Sequence, residues 1–572
     1  MLPALVEPCS PCPRRSRRDL QPLSASHSST ELLAALHRLG AEQRKDAVDA
    51  SHVVESTGGV ALSARVAVAR SPLSVASVSF VDDGRTLVAH VTNVDDVPHT
   101  VTHLTAFGRD VDDTACLANR DLRPGDTALI TVPLCTQAAP GDPWTIVVDV
   151  DDDTTPPAVA GGRVLPSFFP LEAWPKSSEC PFPVDGARPD LWSRHRDAGI
   201  DTLFMYWDGT CDFAGRDVLA SSPAQSGALR VLIDHDFFDD PNWRQALPDT
   251  RAVAGFLTGD ESDDVIYLDD GSSKAATKAA LARQLWDTYP QLPVYNGAMT
   301  NRHIGGFAGM TDVQGIDFYA AACAPHITPW GSNPPLRAPY DYLRNARDNH
   351  APWPTWLYAQ GLNDGWNKQT PLGERVFQPD PQEIAVQAMM VVLAGGKGLM
   401  WFQSEVEEGD RVPARWQAIA RANHTIRAVR RLLLPASVTG LAHADVPDDR
   451  VLVEALRGPD ALVVPVVNLL ASTSVTDVAC GAAQVAGVPS PPHWVLGSQA
   501  VDVVVSIPDD AGIAAVFSVD ASGTHDAAFV VDAAARTVTL PAVALDNDTP
   551  TRLFVLATTD DVRAQVDADA AR

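Results

Sequence analysis

An apolar run that ends in acid, "AVAGFLTGDESDD" over residues 252 to 264, sets Asp260 and Glu261 side by side at the tip of a strand-like segment. Acetal hydrolysis calls for such groups. One protonated carboxyl donates to the leaving oxygen, and one ionised carboxylate serves as base, nucleophile or charge stabiliser. Neighbours on an extended strand point to opposite faces, so both can share a site only where the backbone turns, at Gly259 or after Glu261. The competing reading of "DESDD" is an acidic loop that caps the following helix.

Other apolar runs end in polar or aromatic groups as well. The first leads to Glu172 and Trp174, the second to Tyr206, Trp207 and Asp208, and the third to Asp234, His235 and Asp236. The fifth gives Tyr295 and Asn296, and the sixth Asp317 and Tyr319. The seventh gives Tyr358 and Gln360 with Asn363 and Asp364 beyond, and the eighth Trp401, Gln403 and Glu405. Tryptophan offers an apolar face with a polar edge, which suits a sugar ring carrying both CH and OH surfaces. Trp174, Trp207, Trp366 and Trp401 are the candidates, each weighed against ordinary core packing. The expected substrate contacts are Trp174, Tyr206, Trp207, Asp208, Asp234, His235, Tyr295, Asn296, Tyr319, Gln360 and Trp401. "DHD" at 234 to 236 is a poor metal motif, because neighbouring strand residues alternate faces, and no metal or cofactor is assigned.

The elements that must position these groups follow from the pattern. From 163 to 435, eight strand-like runs alternate with helical segments: "RVLPSFFPL", "IDTLFMYW", "RVLIDHDF", "AVAGFLTGDE", "LPVYNG", "VQGIDFYA", "TWLYAQG" and "GLMWFQSE". Eight βα units over this length predict an α/β fold, a (β/α)8 TIM barrel, with active residues at the C-terminal ends of the strands. Lys397 in "AGGKGLMW" precedes a strand and so falls at the inert bottom. A doubly wound sheet is disfavoured, since no strand leads into a Gly-rich nucleotide turn or a Walker A sequence. Short alternating runs from 71 to 162 and from 436 to 572 predict all-β sandwich domains on either side. Residues 1 to 70 read as a poorly ordered or helical lead, with "STELLAALHRLGAEQRKDAVDA" as its helix.

The quoted runs "LPSFFPLEAWP", "RDAGIDTLFMYW", "GFLTGDESD", "VQGIDFYA" and "EIAVQAMMVVLAGGKGLMWF" resemble the (β/α)8-barrel glycoside hydrolases, in particular retaining barrels of β-galactosidase and cellulase type with flanking β-sandwich domains. The resemblance covers about residues 163 to 435. It implies a glycosidase acting on an oligo- or polysaccharide, with the general acid/base at the end of strand four, on Glu261. Retaining members carry a nucleophilic glutamate at the end of strand seven, where this chain has Gln360. Three alternatives stand for the second carboxylate: Glu405, Asp317, or none from the protein. In the last case Asp260 and Glu261 resemble the Asp-Glu pair of substrate-assisted hexosaminidases. A second function class, a non-catalytic carbohydrate-binding protein on a degenerate barrel, would also explain the missing glutamate.

The 572 residues predict several domains, and 45% apolar with 20% charged residues is a globular composition. A formal net charge of -28 disfavours nucleic acid and anionic membrane as partners, and suits a neutral carbohydrate. No apolar stretch is long enough to span a bilayer. Eight cysteines lack paired zinc-ligand spacing. Cys116 with Cys135, and Cys180 with Cys211, would suit disulfides in a secreted or periplasmic protein, with free buried thiols as the equal alternative. The N-terminus lacks the order of a secretory signal, and neither location nor oligomeric state is assigned.

Overall fold

The computed structural model describes residues 50–55, 61–66, 71–111, 121–134, 136–150, 155–174, 189–205, 229–234, 250–263, 266–268, 272–298, 303–317, 335–361, 379–402, 412–471 and 494–572. Its centre is a closed barrel of eight parallel strands. They are β1 (Leu171–Trp174), β2 (Thr202–Met205), β3 (Arg230–Asp234), β4 (Val253–Leu257), β5 (Val294–Ala298), β6 (Val313–Asp317), β7 (Thr355–Gln360) and β8 (Leu399–Phe402). Closure is direct, since β1 pairs with both β2 and β8.

Strand periodicity of two sorts the side chains into two shells. Trp174, Phe204, Leu257, Trp356, Tyr358 and Met400 pack together inside the barrel. Leu203, Val231, Phe256 and Val294 face outwards on one side, and Ile316, Leu357, Leu399 and Trp401 on the other. Both faces are covered, so the strands read as continuous apolar runs without polar alternation.

The outer layer includes α1 (Pro189–Asp197), α2 (Lys274–Thr288), α3 (Ile304–Phe307), α4 (Ala338–His350), α5 (Pro381–Leu393) and α6 (Val412–Leu433). Helix α5 starts with Pro381 in its first turn and a capping box in which Asp380 and Glu383 satisfy each other's backbone donors. Almost every α5 side chain is buried, because the helix lies between the barrel and the C-terminal sheet.

Before the barrel, Leu73–Val81, Thr86–Asn93 and Thr127–Pro133 form one antiparallel sheet, and Ala158–Arg163, Pro143–Val150, His99–Ala106 and Arg109–Asp110 form another. Leu87, Val91, Leu104, Ile130, Ile146 and Val148 fill the space between them. The buried-exposed alternation of Pro143–Val150 is that of a sheet with one wet face. After the barrel, a seven-stranded and a four-stranded sheet enclose a second core around Val464, Val503, Leu540 and Leu556. The larger of these sheets turns Val463, Phe517 and Val555 into the core shared with α5 and α6. His90 Nε2 lies 2.8 Å from the Arg457 carbonyl oxygen, linking the two β-domains beneath the barrel.

The lead departs from the expected disordered or helical segment at one place. Ala50–Glu55 and Ala61–Val66 pair as antiparallel strands, consistent with the β-branched content of "ASHVVE" and "ALSARV". The expected helix "STELLAALHRLGAEQRKDAVDA", up to Asp49, and both proposed cysteine pairs lie outside the described residues.

Candidate active site

The carboxylates foreseen at the end of strand four do converge. One oxygen each from Asp260, Glu261 and Asp317 lies within 4.8 Å of the other two. The backbone turn that this requires is present at both possible places: Gly259 has φ +139° and Glu261 itself has φ +44°. A left-handed glutamate is uncommon and carries roughly 1–2 kcal/mol of strain, the kind of conformation that persists when neighbours impose it.

Those neighbours belong to β5 and α2. Thr258 N donates to the Tyr295 carbonyl at 2.9 Å, Gly297 N to Gly259 O at 3.2 Å, and Ser262 N to Gly297 O at 2.8 Å, so the whole turn is stitched to one strand. Gly297 leaves room there, since a Cβ would sit tightly, 3.3 Å from Asp260 Oδ1 and 3.4 Å from the Gly259 oxygen. From the other side, Lys274 Nζ donates to the Glu261 carbonyl at 3.4 Å and Lys278 Nζ to that of Thr258. Residues four apart share a helix face, so both lysines of α2 reach the same turn. Helix α2 is capped by Ser273, whose side chain accepts from Ala276 N at 3.3 Å. The acidic run is therefore not its cap.

Burial first, and the neighbouring Glu261 charge second, push the Asp260 carboxyl up to about 7. Asp260 Oδ1 has no hydrogen-bond partner among the described residues. Asp317 closes β6 and Asp234 closes β3, both buried. Below them Tyr358 points inwards from β7, fully buried, and its hydroxyl also lacks a partner among the described residues. Its ionisation is opposed by burial first and then by the charges of Asp260, Glu172, Asp317 and Asp234. Glu172 lies deeper, on β1, where burial and then Asp201 raise its carboxyl well above the usual range.

Trp174 faces the interior, edge-on to Phe204 at 4.5 Å and to Phe402 at 5.0 Å. Gln360 follows Tyr358 by two residues and so shares its inward face, and its backbone N–H donates to Gln387 Oε1 at 3.0 Å. The end of strand seven thus carries an amide where the resemblance leads one to look for a carboxylate.

Three expected substrate contacts are elsewhere. Trp401 points outwards into the helix layer, 0% exposed, and its Nε1 donates to Asn423 Oδ1 of α6 at 2.9 Å. Asn296 also faces outwards, where its Nδ2 donates to Gln314 Oε1 at 3.2 Å and its Oδ1 accepts from Thr258 Oγ1 at 3.3 Å. Both were displaced from the mouth by strand alternation, which puts every second residue on the helix side. Tyr295 faces inwards but low, its ring 4.7 Å from Trp356, because β5 runs on to Ala298 and leaves position 295 near the strand's N-terminal end. If Trp401 is a wall residue, Trp401→Ala costs about 3–5 kcal/mol in denaturant unfolding while Trp401→Phe leaves kcat/KM unchanged; a selective loss of activity in the Phe variant would put the ring back in the site.

Glu405, Tyr206, Trp207, Asp208, His235 and Tyr319 lie outside the described residues, as does Trp366. Reasoning from sequence passed over Thr258, Gly297, Lys274 and Lys278. The legible signal was the pair of lysines four apart at the start of the helix that follows "DESDD". Lys397 is at the bottom as expected, its Nζ donating to the carbonyls of Leu433 at the end of α6, at 2.6 Å, and of Ala436 just beyond it, at 2.5 Å. A large cleft also opens at that end, between the barrel and both β-domains, and none of the clustered carboxylates lines it.

The chain is similar to solved glycosidases. A β-glucuronidase from Ruminococcus gnavus in complex with D-glucuronic acid matches at 9% identity and TM-score 0.27, covering 58% of this chain and 61% of that one. A β-galactosidase from Rahnella sp. R3 matches at 12% identity and TM-score 0.35, covering 48% and 58%. This chain therefore spans about three fifths of the length of either structure. No family model and no curated protein sequence matches.

Proposed function

We propose that the protein is a glycosidase that works at the C-terminal mouth of the barrel, with Asp260 holding the proton for the leaving oxygen and Asp317 as the second carboxylate. The observation that supports this most is the convergence of Asp260, Glu261 and Asp317 within 4.8 Å, combined with a carboxyl raised to about 7. A carboxylic acid that keeps its proton near neutral pH, beside an ionised partner, is the division of labour that acetal hydrolysis demands. Glu261, first in line as the acid from sequence, becomes the charge that keeps Asp260 protonated. The pair titrates together, so the proton belongs to both in part.

Separation bears on stereochemistry. Carboxyl groups about 5 Å apart leave no room for an attacking water, whereas inversion needs roughly 6.5–9.5 Å. The short spacing here favours a protein nucleophile and retention, and it supplies the second carboxylate that Gln360 cannot. It also makes the substrate-assisted route, with Asp260 and Glu261 alone, unnecessary.

The test is hydrolysis of a panel of aryl glycosides and polysaccharides by wild type, Asp260→Asn, Glu261→Gln and Asp317→Asn. Wild-type turnover, with losses of at least about 100-fold in the Asp260 and Asp317 variants, is the expected result. Turnover that survives both substitutions overturns the residue assignment. No turnover on any substrate, together with measurable glycan binding, replaces the enzyme with a carbohydrate-binding protein, the class that Gln360 would fit.

A further inference from the structure

The segment between β4 and α2 presents an aromatic ring to solvent. Tyr267 is 66% exposed, more than any other large hydrophobic side chain among the described residues. Its backbone is fixed: an antiparallel bridge joins Tyr267 to Ser273, Leu268 N donates to Ser272 O at 2.9 Å, and Lys274 N donates to Ile266 O at 2.9 Å. Ser273 in turn caps α2, so this pair of short extended stretches is rooted in the first turn of that helix. In a parallel barrel each loop from a strand to the next helix lies at the C-terminal rim, which puts Tyr267 on the same face of the barrel as the acids.

Lys274 sets the distance between them. Its backbone N–H holds the Ile266 carbonyl and its Nζ reaches the Glu261 carbonyl at 3.4 Å. An extended lysine spans ~7 Å from N to Nζ, so those two carbonyl oxygens are at most ~14 Å apart. Each hexose adds ~5 Å to a glycan by the same bond lengths, which puts Tyr267 about two to three sugar units from the acids. Resting on the glycosidase reading, we propose that Tyr267 is the platform of a distal sugar subsite, and that the substrate is an oligosaccharide chain long enough to reach it. A tyrosine ring offers an apolar face to the CH surface of a pyranose and a hydroxyl to its polar rim, and fixing it costs only two torsions. Contacts so far from the cleaved bond act on long chains alone, so the subsite selects by length. Ile266, 45% exposed, is turned to the opposite side by strand alternation and serves as the control.

The experiment measures kcat/KM on the full chain for unsubstituted α- and β-1,4-linked gluco-, galacto- and manno-oligosaccharides of two to six units, with wild type, Tyr267→Ala and Ile266→Ala. Wild-type kcat/KM is expected to rise with length, and Tyr267→Ala to lower it about three- to tenfold on the longer chains while the disaccharide and the melting temperature stay unchanged. Ile266→Ala is expected to change neither. A loss of equal size on short and long chains, no loss at all, or turnover of small glycosides but of no chain overturns the inference while the glycosidase reading stands. If neither these chains nor the glycoside panel turns over, that reading fails and calorimetry with the same oligosaccharides decides this one. Affinity that grows with length in the wild type and not in Tyr267→Ala upholds the subsite, and affinity independent of length, or no binding, overturns it.

Discussion

Asp260→Asn lowers kcat/KM by about 10²–10⁴-fold and at the same time makes the protein more stable at pH 8. The two effects share one cause. The folded state holds the Asp260 proton up to about 7, against 3.8 for the free side chain. Below about pH 4 both folded and unfolded chains are protonated there, and the group has no influence on stability. Between about 4 and 7 the unfolded chain releases the proton and the folded chain retains it, so stability falls as pH rises. At 1.36 kcal/mol per unit, a shift of this size amounts to about 4 kcal/mol by pH 8. Asparagine cannot ionise, so thermal unfolding of the variant lacks this decline, and the two curves separate above pH 4. Wild-type kcat/KM falls above about pH 7 as the acid is lost. Parallel stability curves for the two proteins would mean that the carboxyl is not raised, and Asp260 would lose its place as the acid.

Glu261 yields the second large effect, again with activity and stability moving apart. Its φ of +44° is strained for glutamate and free for glycine. Glu261→Gly therefore relieves about 1–2 kcal/mol of backbone strain, offset by about 0.5–1 kcal/mol for the greater freedom of glycine in the unfolded chain. The melting temperature is expected to hold or rise. Removing the neighbouring charge also lowers the Asp260 carboxyl, so the alkaline limb of the pH–rate profile moves towards acid and activity at pH 7 drops about severalfold. Glu261→Gln moves the limb in the same direction without the backbone relief. A limb that stays in place in both variants would break the proposed coupling, and a large loss of stability in the glycine variant would show that the turn depends on the glutamate side chain.

The barrel was legible because its signals are local. Eight apolar runs of strand length separated by helical segments leave few ways to cover both faces of a parallel sheet, and seven of them appear in the closed barrel, while the first, "RVLPSFFPL", meets its strand only at Leu171, since β1 starts there and runs to Trp174. Alternating runs such as "WTIVVDV" likewise announced the flanking sheets. The pairing of Asp260 with Glu261 was legible too, with the condition that the chain turn at Gly259 or after Glu261. What misled was the assumption that the last visible polar residue of a run lies at the mouth. Trp401 and Asn296 are one position out of phase with the interior, and a single step along a strand sends a side chain to the opposite face.

Composition and periodicity, being properties of neighbouring residues, sufficed for the fold class, for a carboxylate pair at the tip of strand four, and for the absence of a carboxylate at Gln360. Which second acid meets the pair is a matter of strands 57 residues apart in the chain, Asp260 near β4 and Asp317 on β6, and of a turn whose dihedral angles are imposed by β5 and α2. The Asp260 carboxyl is likewise raised because folding buries it beside the Glu261 charge, and burial is a property of the assembled barrel and not of the run "TGDESDD".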